Sequence, residues 1–97
     1  MAVKVMIPTP LRAYAGKQES VEVQAKTVAE ALTALTGTFG ELKKHLFSDD
    51  GRLRSFVNVY VNDEDIRYLQ KDQTQVREGD TISIVPSIAG GLNRAGI

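Results

Sequence analysis

Ninety-seven residues, 42% of them hydrophobic and 25% charged, supply one globular core and fall short of two ordinary domains. Twelve basic residues balance twelve acidic ones, so no net field recruits nucleic acid or an anionic membrane, and any partner must be recognised by local surface. Cysteine is absent, which removes disulfides, thiolate metal sites and cysteine nucleophiles together.

The start of the chain runs directly into alternation without a signal-peptide core, and no apolar run nears the length of a membrane span. The cytoplasm is the expected compartment. Val3, Val5 and Ile7 alternate with Lys4, Met6 and Pro8, the period-two pattern of a strand over residues 2–7 with one buried face. Residues 11–17 read as a loop, where Arg12 and Tyr14 are exposed candidates for binding, and Val21 and Val23 resume the alternation. The two strands form a hairpin with a long connection.

Thr27 and Glu30 have the spacing of a capping box, in which the hydroxyl takes a free amide and the carboxylate reaches back to the cap residue's own amide. Val28, Ala31, Leu32, Leu35 and Phe39 then make one apolar stripe along a helix that should lie across the sheet. Gly40 is placed to stop that helix in a left-handed conformation, and residues 41–47 to add a short second helix through Leu42 and Leu46. His45 has no second histidine at ligand spacing and reads as a solvated helix residue, not a metal ligand. Asp49, Asp50 and Gly51 make a turn whose spacing does not match a calcium loop.

Residues 56–61, Phe-Val-Asn-Val-Tyr-Val, are the strongest strand in the chain, with Val57, Val59 and Val61 on one face. Asn62 and Asp63 form a turn, residues 64–67 a brief return strand, and Tyr68 with Leu69 a packed corner. Asp63, Glu64 and Asp65 read as a solvated acidic turn and not as an acid/base set. Glu78, Gly79 and Asp80 turn the chain into a last strand over residues 81–86, with Ile82 and Ile84 on one side.

Pro86 cannot donate a ladder hydrogen bond, and no later residue has the periodicity to rejoin a core. Residues 87–91 therefore read as a tail. Gly90 and Gly91 give it a stretch without side chains, able to pass a channel where any Cβ would clash; taken alone, the dipeptide fits ordinary tail disorder better. No serine lies in a nucleophile elbow and no glycine-rich loop opens a helix, so neither a catalytic triad nor a nucleotide site is expected on this chain.

The order strand, strand, helix, strand, short strand, strand defines an α+β chain of the β-grasp, ubiquitin-like plan: a mixed sheet of four or five strands covered on one face by one main helix. One helix cannot cover both faces. Met6, Phe56, Tyr60 and Val85 alternate away from the core set and are expected to form an apolar docking patch on the open side. The domain should span residues 1–86.

Three stretches carry a resemblance: Val5-Met6-Ile7-Pro8-Thr9-Pro10-Leu11-Arg12, then Phe56 through Arg67, then Ile84-Val85-Pro86-Ser87-Ile88-Ala89-Gly90-Gly91. Together they resemble the ubiquitin-like sulfur-carrier family of the MoaD/ThiS type, and within it the carriers used in cysteine biosynthesis. The resemblance implies a carrier and not an enzyme, with no bound cofactor or metal. It implies that the Gly91 carboxylate is adenylated by an E1-like adenylyltransferase/sulfurtransferase using ATP, then converted by a sulfur donor to a thiocarboxylate. Ile88, Ala89, Gly90 and Gly91 would be the arm offered to such enzymes. Because Leu92 and five further residues follow, the resemblance implies a precursor cut between Gly91 and Leu92 by a JAMM-type metalloprotease. The acceptor implied is a pyridoxal-phosphate-dependent cysteine synthase. Supply of sulfur to molybdopterin, thiamine or another metabolite, attachment to protein lysines, and a non-carrier ubiquitin-like interaction module remain the alternatives.

Overall fold

A computed structural model describes residues 2–86; Met1 and residues 87–97 lie outside the described residues. Five strands, β1 (Ala2–Met6), β2 (Ser20–Gln24), β3 (Val57–Val61), β4 (Glu64–Asp65) and β5 (Thr81–Pro86), form one sheet in the order β2-β1-β5-β3-β4. The central β1–β5 pair is parallel and the others are antiparallel. This is the mixed sheet of the β-grasp plan.

The alternation fixes which face is inside. Val3, Val5, Val57, Val59, Val61, Ile82 and Ile84 are all buried, and Val28, Ala31, Leu32 and Leu35 of helix α1 (Val28–Thr38) close over the same side. Leu42 and Leu46 of helix α2 (Gly40–Leu46) complete the core from one end, as the sequence implied. Among the described residues no helix is long and apolar enough to cross a membrane.

The start of α1 departs in one atom from the expected box. Thr27 Oγ1 accepts from the Glu30 amide at 3.2 Å, but the Glu30 carboxylate reaches the amide of Lys26, one residue before the cap, at 2.9 Å. Two free donors are still satisfied. The end also differs: Phe39, at φ −119° and ψ 82°, breaks the helix, and Gly40 opens α2 without a left-handed conformation. Phe39 packs, half-buried, against the core at the position where a glycine stop was expected to follow.

Residues 9–15 are not an open loop but a 3-10 helix, begun by Pro10 at a position where its missing N–H costs nothing and ended by Gly16 at φ 64°. Leu11 and Ala15 are buried beneath it, while Arg12 is held by an Nε hydrogen bond of 3.0 Å to the Ile7 carbonyl. After β4, whose two residues are shorter than the expected return strand, the chain makes 3-10 turns at Ile66–Tyr68 and Lys71–Gln73. Ile66 is buried, yet Tyr68 is 85% exposed, so Tyr68 and Leu69 are not a packed corner. Val76, which sequence patterning passed over, is core; its amide donates to Lys26 at 2.9 Å, while the Val28 amide donates to Thr74 at 3.0 Å.

Candidate functional site

On the side away from α1, the strand register lines up one residue from each strand. Ser20 pairs with Met6, Met6 with Ser83, Ser83 with Tyr60 and Tyr60 with Asp65. Met6 and Tyr60 thus stand two strands apart, about 9–10 Å, across the small side chain of Ser83. Both are half-buried. In the next row Val85, 44% exposed, pairs with Asn58. Phe56 is placed differently: it lies in the turn before β3 and packs in part against the core. Of the four patch residues, the strands themselves align three.

The row ends in an ion pair. Arg67 Nη2 meets Asp65 Oδ2 at 2.7 Å, Arg67 Nε lies 3.2 Å from both oxygens, and the Arg67 amide donates to Asp65 Oδ1 at 2.8 Å. The guanidinium bonds first, and the backbone amide second, hold the Asp65 carboxyl below the usual aspartate range. The Asp65 side chain is only 9% exposed, so this residue is not the solvated turn carboxylate expected from its neighbours. Asp80 is held low in the same sense, by Asn62 Nδ2 at 3.0 Å and by the Arg77 amide at 2.8 Å. Asn62 Oδ1 in turn accepts from the Thr81 amide, which ties the β3–β4 turn to the start of β5. Asn62 and Asp63 both have positive φ, the two-residue turn whose twist matches a hairpin.

His45 is not a solvated helix residue. Its ring stacks on Tyr14, with centroids 4.3 Å apart, and Nε2 is buried without a hydrogen-bond partner among the described residues. No group of three potential metal ligands occurs among the described residues. Ser83 and Asn58 belong to the open face although sequence reading named neither; the signal was their position between Ile82 and Ile84 and between Val57 and Val59. Ile88, Ala89, Gly90, Gly91 and Leu92 lie outside the described residues. The last described residue, Pro86, pairs with Val57 and follows Val85 directly.

A sheet of this order, one covering helix and an uncovered face define a ubiquitin-like β-grasp protein. Comparison with known proteins narrows the class. The ThiS family model matches residues 5–91. The sulfur carrier protein CysO of Mycobacterium tuberculosis H37Rv is 39% identical over 93 residues, which cover 94% of this chain and 100% of that protein. A putative sulfur carrier protein of Archaeoglobus fulgidus is 34% identical over the same shares. In a crystal structure of an Amycolatopsis orientalis BexX/CysO complex, one chain superposes with a TM-score of 0.84 at 40% identity, covering 92% of this chain and 99% of that one. The chain belongs to the ThiS family, within the ubiquitin-like sulfur-carrier type that its three motifs resemble.

Proposed function

We propose that the chain carries sulfur on the main-chain carboxyl of Gly91. The observation that carries this reading is that the family match runs from residue 5, inside β1, through the rest of the β-grasp domain and ends on the second glycine, residue 91. Without cysteine no side-chain thiol can bear the sulfur, which leaves the role open to a terminal main-chain acid. A carboxylate is a poor electrophile; its oxygen attacks the α-phosphorus of ATP and pyrophosphate departs, giving an acyl-adenylate. A sulfur nucleophile then displaces AMP and leaves a thiocarboxylate, which is polarisable, ionised near neutral pH and nucleophilic. The E1-like partner binds the ATP. The carrier contributes a handle, and Met6, Tyr60 and Val85, with Phe56 at their margin, are the apolar surface by which that partner holds it.

Within the peptide bond to Leu92, Gly91 has no free carboxylate, so residues 92–97 must first be removed by a JAMM-type metalloprotease. The acceptor is an electrophilic aminoacrylate on a pyridoxal-phosphate-dependent cysteine synthase. That assignment is supported by the identity to carriers named CysO. The test is ATP–pyrophosphate exchange with the cognate E1-like enzyme. Protein ending at Gly91 should support exchange and the 97-residue chain should not; equal exchange by both would refute the precursor step, and none by either would refute the carrier reading.

A further inference from the structure

At the β3 edge of the sheet, lined by neither Met6 nor Tyr60, a groove with a volume of about 440 Å³ opens between α1, the segment before β3 and the 3-10 turns after β4. Its floor is apolar: Leu32 of α1, Val57 and Val59 of β3, and Ile66, all buried, with Phe47 and Leu53 half-buried at its side. β4, beside it, is only two residues long. The β3–β4 ladder stops at the Tyr60–Asp65 pair, which leaves Val57 to Val59 without a ladder partner on that edge among the described residues.

The rim has an excess of cations. Arg52, Arg54, Arg67 and Lys71 line it against Asp65 and Asp72. Arg67 is committed to Asp65 by the bonds described above, and Arg52 approaches Asp50 only at 3.9 Å with both side chains exposed, a pairing of little strength. Arg54 donates its Nε to the Lys44 carbonyl at 2.9 Å, and neither Arg54 nor Lys71 has an ion-pair partner among the described residues. Arg52 and Arg54 come from the segment before β3 and Lys71 from the one after β4, so the cations stand on two separate parts of the lining. In a chain of zero net charge this is a local device.

We propose that the groove receives a short extended segment of a partner protein in which apolar side chains alternate with carboxylates. The apolar side chains fill the floor over Leu32, Val57, Val59 and Ile66, and the carboxylates meet Arg52 and Arg54 on one part and Lys71 on the other. Met6, Tyr60 and Val85 do not line this groove, so one carrier can hold two partners, or two parts of one, at once. The inference does not rest on the sulfur-carrier reading.

The test is an NMR titration of the isotope-labelled full chain with an acetylated, amidated peptide of alternating leucine and glutamate. Saturable shifts at the amides of Thr33, Arg54, Asn58 and Lys71 are expected, with none from a control peptide of the same length in which lysine replaces each glutamate. The exposed pair Arg52→Glu and Lys71→Glu should weaken binding about tenfold while leaving the spectrum otherwise unchanged. Absence of saturable shifts, or shifts confined to Met6, Tyr60 and Val85, would overturn the proposal. So would equal shifts from hexanoate alone, which would make the groove a small-molecule site.

Discussion

Leu35→Ala measures whether stability resides on the helix side of the sheet. Leu35 has no exposed surface and sits at the centre of the apolar stripe of α1. The substitution removes three carbons, about 2.4 kcal/mol of lost burial at roughly 0.8 kcal/mol each, and the residual cavity raises the cost to about 3–5 kcal/mol. A domain of this size holds about 5–15 kcal/mol in all, so the melting temperature should fall by at least about 12 °C. Met6→Ala, on the open face, removes a side chain that is only half-buried and should cost about 1 kcal/mol or less. Urea denaturation followed by circular dichroism, with both variants beside the parent, gives the comparison directly. Equal losses, or a larger loss for Met6→Ala, would mean that the open face is a second core and would refute the division of the sheet into a structural and a docking side.

Three further outcomes follow from individual contacts. Thr27→Ala should cost about 1 kcal/mol in the same denaturation assay, because the Glu30 amide loses its acceptor at the start of α1. Asp65 and Asp80 bind their protons less tightly folded than unfolded, so their stabilising contribution is complete above the usual aspartate value of about 3.9 and is lost as the pH falls through their lower folded values. Asp65→Asn and Asp80→Asn should each flatten the fall in stability measured from about pH 5 to about pH 2; an unchanged slope would show that these bonds do not hold in solution. Tyr60→Ala should raise the KM of the E1-like partner for the trimmed carrier about tenfold, the loss of about 1.4 kcal/mol of contact, with the fold retained by circular dichroism.

Residues whose spacing repeats were legible from the chain alone. The valines of β1 and β3, the isoleucines of β5 and the stripe of α1 state their face by period, and the sheet follows because one helix has one face to give. Features set by contacts between distant segments were not legible. Val76 belongs to no periodic run and is core only because Lys26 and Val28 pair with its segment. Asp65 looked like one of three solvated acids, and only the turn that brings Arg67 back over it makes it a nearly buried, paired carboxylate. Tyr68 reads as a packing residue by type, but the 3-10 turn that buries Ile66 points the next positions outward. His45 likewise needed Tyr14, thirty-one places earlier, to reveal its stacked environment. The diglycine is different again: the family match that ends at residue 91 reaches it, but its proposed role rests on a motif resemblance and not on periodicity.

The most direct measurement is the intact mass of the protein isolated from its native host under non-reducing, cold conditions. The account predicts a chain ending at Gly91, with a fraction heavier by about 16 Da where sulfur has replaced oxygen in the terminal carboxylate. A population that retains Leu92 to Ile97 throughout, with no such heavier species, would contradict it.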